Sequence, residues 1–162
     1  MSGALVYVNG NLVNWISKRQ STVALSTCEA EVYAMTVAVT DSFHVWNILH
    51  EMYKTNTSVT LEKPIQVYCD NMSAVHIAES TAVTARSKWF DIRTKFLADW
   101  SSPRKGMIQV NWVDTTQNPA DALTKSLGEA QHEKLSHMLL GDTLPPFMDG
   151  TSPQYDKILV RK

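Results

Sequence analysis

The sequence is poor in cysteine, with only Cys28 and Cys69 among its 162 residues. Two cysteines are too few for a disulfide framework, and their spacing matches no zinc-binding pattern. We therefore expect an intracellular protein, cytoplasmic or nuclear, in which both cysteines are small buried hydrophobic residues.

The sequence also lacks long apolar runs and a large excess of one charge. No run approaches the roughly 20 apolar residues that cross a bilayer, and the first residues do not have the pattern of a secretory signal. We therefore expect no membrane association. The net charge of −1 argues against a strongly cationic nucleic-acid-binding protein, although it is compatible with a local basic patch.

The order of the predicted elements indicates an α/β domain with a mixed sheet. A β-branched run at 4–8 stops at Asn9-Gly10, which is a strong signal for a hairpin into a strand at 12–17. Apolar residues from Ala30 to about Tyr53 then recur at helical spacing. The remaining predicted elements are strands at 65–69 and 107–113 and helical segments at 73–79, 90–100 and 119–140.

The composition changes after residue 140. Residues 141–162 contain Pro145-Pro146 and Ser152-Pro153 and end in an apolar run, Y-D-K-I-L-V. We assign residues 1–140 to the folded domain and residues 141–162 to a C-terminal extension.

Three acidic residues lie at strand ends and helix starts, where α/β sheets usually bind their ligands. Glu31 lies in the first turns of the long helix, Asp70 follows the strand at 65–69, and Asp121 lies early in the segment at 119–140. Converging carboxylates repel one another unless cations lie between them, and such hard oxygen ligands suit Mg²⁺ or Mn²⁺. Two such ions stabilise the attacking and leaving oxygens of a phosphodiester displacement.

Each of these carboxylates also has a purely structural interpretation. Glu31 and Asp121 could complement the dipoles of their helices. Asp70, followed by Asn71, could be a strand-to-helix cap.

Glu29 differs from Glu31 because it belongs to a capping box. In S-T-C-E at 26–29, Ser26 caps the helix and Glu29 reaches back to the backbone N–H of Ser26. Two residues turn a helix by about 200°, so Glu29 and Glu31 point in nearly opposite directions. The capping box therefore accounts for Glu29 and leaves Glu31 as the candidate ligand.

Four longer motifs stand in order along most of the chain. They are S-K-R-Q-S-T-V-A-L-S-T-C-E-A-E-V-Y-A-M, V-Y-C-D-N-M-S-A-V, A-R-S-K-W-F-D-I-R and N-P-A-D-A-L-T-K-S-L. From about Ser2 to Leu127 the chain resembles the ribonuclease H domain of copia-type retrotransposon polyproteins. The resemblance implies a ribonuclease H-like fold with helices on both faces of the sheet. It also implies hydrolysis of the RNA strand of RNA–DNA hybrids by two Mg²⁺ ions, with Glu31, Asp70 and Asp121 as catalytic and metal-binding residues.

The chain departs from this family pattern in two places. The family has a central strand carrying an Asp just before the segment matched by Ser2-Gly3-Ala4, and that Asp normally bridges both metal ions. Here the first Asp is Asp41, inside the long helix. The other departure is Trp89, where the family motif usually has His.

A missing central strand would leave backbone groups of its two neighbours unpaired. We expect residues 156–161 of the tail to fill the gap as a strand. Strand exchange in a homodimer, or a strand from a partner protein, would also complete the sheet. If Asp156 reached the site, it could stand in for the lost Asp.

Residues 86–105 carry a local excess of positive charge that suits phosphate binding, with a solvated helix face as the alternative. The residues expected to bind nucleic acid are Asn71, Arg86, Lys88, Arg93 and Lys95.

Two functions remain open from the sequence. The first is metal-dependent hydrolysis of RNA–DNA hybrids with Mg²⁺ or Mn²⁺. The second is a catalytically inactive, repurposed domain that acts in nucleic-acid or protein binding and assembly, which the loss of the first Asp favours. A fragment of a longer polyprotein is compatible with the sequence as well.

Overall fold

The computed structural model describes residues 1–21, 23–55, 63–80, 91–143, 145 and 156–161. For residues 156–161 the description covers the backbone.

The fold is built on a mixed sheet of five strands. They are β1 (Ser2–Val8), β2 (Asn11–Lys18), β3 (Ile65–Cys69), β4 (Ile108–Trp112) and β5 (Asp156–Arg161). Their order across the sheet is β2-β1-β5-β3-β4. β1 pairs antiparallel with β2 and β5, whereas β3 pairs parallel with β4 and β5. The mixed α/β architecture predicted from the sequence is confirmed.

The central strand of this sheet, β5, comes from the C-terminal tail. Val160 pairs with Ala4 of β1 on one side and with Cys69 of β3 on the other. The prediction that residues 156–161 form a strand is therefore confirmed, and the gap between β1 and β3 is filled from within the same chain.

A tight hairpin joins β1 to β2, as the Asn-Gly signal predicts. Asn9 and Gly10 have positive φ angles of 50° and 77°. Two consecutive left-handed residues match the twist of a two-residue hairpin, and glycine reaches this conformation without a steric cost.

The helices are α1 (Thr27–Tyr53), α2 (Met72–Glu79), α3 (Asp91–Ser101) and α4 (Glu129–Leu140). Three of them agree closely with the predicted helical segments. Among the described residues, none of the helices combines the length and the apolar character needed to span a membrane.

The capping box at the start of α1 is confirmed with one correction. Ser26 Oγ accepts a hydrogen bond of 3.0 Å from the backbone N–H of Glu29. Glu29 Oε2 accepts from the backbone N–H of Leu25 at 2.7 Å, one residue before the predicted donor. The carboxylate of Glu29 is therefore used in starting the helix.

The helical segment predicted at 119–140 is wrong as a single element. Pro119–Leu123 is a short 3₁₀ helix capped by Asn118, and α4 begins only at Glu129. The backbone of Gly128, with φ −65° and ψ 154°, is extended and cannot continue a helix through this position. Asp121 therefore lies in a compact turn of chain rather than on a long helix.

Helices cover both faces of the sheet. α1, α2 and α3 pack on the face that includes Ala4, Val67 and Val110. The 3₁₀ helix and α4 cover the opposite face, which includes Leu5 and Tyr7. Neighbouring strand residues such as Ala4 and Leu5 enter different cores because side chains alternate across a sheet.

Candidate active site

A cleft of about 570 Å³ opens where β3 ends. Its lining comes from the starts of α1 and α2 and from the segments that follow β3, β4 and the 3₁₀ helix. The lining residues are Thr27, Glu31, Asp70, Asn71, Met72, Ser73, Thr115 and Lys125. A cleft at the carboxyl end of a parallel strand is the usual place for a ligand in an α/β sheet.

Two of the predicted acidic residues, Glu31 and Asp70, come together in this cleft. Ligand atoms of Glu31, Asp70 and Cys69 all lie within 4.8 Å of one another. Glu31 is buried at 4% exposure on the first turns of α1, and Asp70 is half-buried directly after β3. The arrangement joins two hard carboxylate donors to one softer thiol donor.

Sequence reasoning treated Cys69 as a small buried hydrophobic residue and gave it no role as a ligand. The residue is fully buried, in agreement with that interpretation. The alternation of side chains along β3 could have indicated its position. Val67 packs on the face of the sheet that α1 covers, and Cys69, two residues later, must point to the same face. The start of α1, where Glu31 lies, is on that face.

Thr115 and Trp112 hold Asp70 from the segment around the end of β4. Thr115 Oγ1 donates to Asp70 Oδ2 at 2.9 Å. The indole Nε1 of Trp112 donates to the backbone carbonyl of Asp70 at 3.2 Å. Neither residue was predicted as part of the site.

Asn71 has a structural role at the edge of the cleft. Its Oδ1 accepts from the backbone N–H of Ala74 at 3.2 Å and caps α2. The strand-to-helix cap considered for Asp70 and Asn71 is thus made by Asn71. A contact between Asn71 and nucleic acid stays a prediction.

Asp121 is buried at 3% exposure and lies against Lys125. Lys125 Nζ is 3.3 Å from Asp121 Oδ2. Burial raises the pKa of Asp121, and the neighbouring ammonium of Lys125 opposes this rise. Within the described part of the chain, Asp121 does not join the group formed by Glu31, Cys69 and Asp70. Lys125 lies between Asp121 and the cleft, because it forms an ion pair with Asp121 and its side chain also lines the cleft.

Cys28 lies close to the same acidic region. Burial raises the pKa of the Cys28 thiol, and the negative charge of Glu31 raises it further. The thiol is therefore held in its neutral form. Cys28 is half-buried, so the prediction of a fully buried residue holds for Cys69 but not for Cys28.

The predicted basic patch is only partly within the described residues. Arg86, Lys88 and Trp89 lie outside them. The guanidinium of Arg93 lies 4.7 Å from the ring centroid of Tyr33, and Lys95 is exposed on α3. Neither Arg93 nor Lys95 is among the described residues that line the cleft, so their binding to nucleic acid stays a prediction.

The register of β5 excludes Asp156 as a substitute for the lost Asp. Asp156 pairs with Val8, whereas Val160 pairs with Cys69 at the cleft end of β3. The two positions are four residues apart, which is ~13 Å along a strand. The expectation that Asp156 could stand in for the lost ligand is therefore wrong.

Together these features define an α/β protein with a cleft at the end of β3 that two carboxylates line, with the buried thiol of Cys69 beside them. The chain is similar to the retrovirus-related Pol polyprotein from transposon TNT 1-94 of Nicotiana tabacum. The two are 32% identical over 124 residues, which are 76% of this chain and 9% of that polyprotein.

Two further relatives come from Arabidopsis thaliana. The Pol polyprotein from transposon RE1 is 26% identical over 145 residues, 90% of this chain and 9% of the polyprotein. The one from transposon RE2 is 26% identical over 149 residues, 92% of this chain and 10% of the polyprotein. The chain thus spans about a tenth of the length of the curated relatives it matches. No family model and no solved structure matches the chain. The relatives support the predicted copia-type retroelement origin.

Proposed function

We propose that this chain is a ribonuclease H-like domain that hydrolyses the RNA strand of RNA–DNA hybrids with the help of divalent metal ions. The observation that carries the proposal is the convergence of Glu31 and Asp70 at the end of β3, with ligand atoms within 4.8 Å of one another and of Cys69. The similarity to retrovirus-related Pol polyproteins agrees with this proposal.

The donor set fits a divalent ion. Carboxylate oxygens are the ligands that Mg²⁺ and Mn²⁺ prefer, and the Cys69 thiol adds a softer donor that Mg²⁺ uses less readily. Glu31 and Asp70 would hold the ion, with Asp121 as the third carboxylate of the site. When bound, such ions supply a Lewis acid that activates water and stabilises the leaving 3′ oxygen of a phosphodiester.

The residues around the carboxylates give each of them a defined position. Thr115 fixes one oxygen of Asp70 by its hydrogen bond of 2.9 Å. The turns of α1 place Glu31 opposite, on a helix whose start is capped by Ser26. Lys125 offsets the charge of buried Asp121. Ligands that are held before the ion arrives bind it without a further cost of ordering.

A second function is favoured by the register of β5. The residue of β5 paired with Cys69 is Val160, and the one acidic residue in the sequence of this strand, Asp156, is at its opposite end. The central strand therefore brings no acidic residue to the cleft. This favours a catalytically inactive domain that retains the sheet and binds nucleic acid or protein.

Cleavage of a labelled RNA–DNA hybrid in Mg²⁺ or Mn²⁺ separates the two functions. Hydrolysis predicts RNA-strand products with the wild-type chain and none with Asp70→Asn. Asp114→Asn is the matched control, because Asp114 is exposed, bonds to Thr116 and lies outside the cleft lining. This variant should cleave as the wild type does.

Two outcomes would contradict hydrolysis by this site. Cleavage that persists in Asp70→Asn would come from another nuclease. A wild-type chain that binds the hybrid in a filter or anisotropy assay, yet yields no product with either ion, would support the binding function instead.

A further inference from the structure

The cleft contains a cation of its own, the side chain of Lys125. This side chain is 41% exposed, whereas the carboxylate side chain of Asp121 that it faces is 4% exposed. The exposed partner can turn into solvent, but the buried partner is fixed by its surroundings. The Lys125 side chain can therefore change its conformation more easily than the Asp121 side chain.

Local backbone geometry places the ammonium over the carboxylate. The backbone N–H of Lys125 donates to the carbonyl of Asp121 at 3.1 Å, which forms one helical turn after the 3₁₀ helix. Side chains four residues apart on such a turn lie on the same face. The ion pair is thus formed by the segment itself and does not depend on a distant element.

We propose that Lys125 is a built-in competitor for the divalent ion, whose ammonium holds the Asp121 carboxylate until a metal ion displaces it. The inference rests on the proposed function, because it requires a divalent-ion site in this cleft. Two cations that share one carboxylate repel each other, and the interaction is strong where burial limits solvent screening. Asp121 therefore joins the ligand set only when the Lys125 ammonium leaves it, and Lys125 sets the metal concentration at which the site fills.

Calorimetric titration of the full chain with Mn²⁺ tests this proposal. Lys125→Met keeps the length and apolar stem of the side chain but removes the charge. It should bind Mn²⁺ more tightly by about tenfold, which corresponds to ~1.4 kcal/mol. Lys125→Arg keeps the positive charge and should bind with nearly the wild-type affinity.

Lys134→Met is the matched control for the loss of one positive charge. Lys134 is exposed, its Nζ donates to the carbonyl of Thr116 at 3.0 Å, and it is outside the cleft lining. Its loss should change the Mn²⁺ affinity by less than about twofold, because exposed charges at a distance are screened by salt.

Thermal unfolding gives a second measurement that does not depend on catalysis. Without metal, Lys125→Met should melt below the wild type, because buried Asp121 loses its cationic neighbour. At a fixed Mn²⁺ concentration the variant should gain more in Tm than the wild type, since tighter binding stabilises the folded state more. Lys125→Gln is measured in the same way if Lys125→Met fails to fold.

Two results would overturn the proposal, and they are distinguishable. Mn²⁺ affinity that is unchanged or weaker in the variants that remove the charge would make Lys125 a structural partner of Asp121 only. If neither the wild type nor the variants bind Mn²⁺, the metal site of the proposed function is contradicted. The proposed competition between Lys125 and the metal ion is then contradicted as well.

Discussion

Thr115 donates a hydrogen bond of 2.9 Å to Asp70, although 45 residues separate them in the sequence. The parallel ladder of β3 and β4 creates this contact. Cys69 pairs with Trp112, so the residues that follow β3 and β4 leave the sheet side by side. The orientation of the Asp70 carboxylate therefore depends on the short 3₁₀ turn at Thr115–Gln117, which follows β4.

Thr115→Val should weaken metal binding while leaving the fold intact. Valine has the shape of threonine but no hydroxyl, so Asp70 Oδ2 loses its donor and the carboxylate turns more freely. Loss of a group that orients a ligand lowers metal affinity or activity by roughly 10–100-fold. Mn²⁺ titration measures the change. Thr116→Val is the control, because the Thr116 hydroxyl bonds to Asp114 outside the cleft. Equal affinities for the two variants would contradict a ligand-orienting role for Thr115.

Gly3→Ala should destabilise the protein by displacing the segment that carries Asp121. A Cβ at Gly3 would lie 2.7 Å from Thr124 Cγ2 and 3.0 Å from the backbone oxygen of Ala120. The backbone oxygen cannot move without the 3₁₀ helix, so we expect a loss of about 1–3 kcal/mol in the free energy of unfolding.

Urea denaturation of Gly3→Ala and Gly128→Ala measures this effect. A Cβ at Gly128 would meet nothing within 4 Å, and its φ of −65° is open to alanine. Gly128→Ala should therefore unfold near the wild-type midpoint. A Gly3→Ala midpoint equal to that of Gly128→Ala would show that the 3₁₀ helix does not pack on β1 as described.

Leu159→Pro should disrupt the centre of the sheet. Leu159 pairs with Leu5 of β1 on one side and with Tyr68 of β3 on the other, so its backbone lies between two strands of the sheet. Proline has no N–H to donate and is excluded from central strands. The lost hydrogen bond and the carbonyl left unpaired should cost at least about 2 kcal/mol.

The comparison for this variant is Leu159→Val, which keeps the backbone donor. Hydrogen exchange should show faster exchange in β1 and β3 with proline and little change with valine. Unaltered protection of both strands in Leu159→Pro would mean that the tail is not the central strand.

Local sequence signals predicted much of the fold because their physical causes are local. The Asn9-Gly10 turn and the Ser26 cap each depend on a few neighbouring residues. The tail strand was predicted differently. The family resemblance indicated that a central strand was missing, and the backbone groups of its two neighbours then needed another partner. That prediction combined the need of the backbone for partners with the apolar run Y-D-K-I-L-V at the end of the tail.

The features that sequence reasoning missed depend on contacts between distant segments. The break at Gly128 separates the 3₁₀ helix from α4, yet the predicted pattern ran across it. Cys69 lies beside Glu31 and Asp70 only because β3 packs against α1, and Thr115 reaches Asp70 only through the register of β3 with β4. The sequence of one segment does not show which distant residues will contact it. The carboxylates were therefore predicted, but the groups that surround them were not.

The stability of the metal-free protein should fall with rising pH through Asp121. Burial raises the pKa of this carboxyl above its ordinary value of 3.8. An acid with a higher pKa in the folded state binds its proton more tightly there. The stability that Asp121 contributes is therefore fully present below pH 3.8, and it is lost as the pH rises through the raised pKa.

Asp121→Asn should for this reason raise Tm at neutral pH in the absence of metal. It removes a charge that burial disfavours, and the gain should be roughly 2–4 °C, as for a change of ~1 kcal/mol in a domain of this size. The gain should disappear below pH 3.8, where Asp121 is itself protonated. Scanning calorimetry at both pH values measures this.

Asp114→Asn should show the opposite sign. Hydrogen bonds from Thr116 lower the pKa of exposed Asp114, so its charge stabilises the folded state at neutral pH and that stabilisation is lost as the pH falls through the lowered pKa. If Asp121→Asn instead lowers Tm at neutral pH, the charge of Asp121 is stabilised by its surroundings. A cationic neighbour would then outweigh burial, and the carboxylate would carry no cost that a metal ion could relieve.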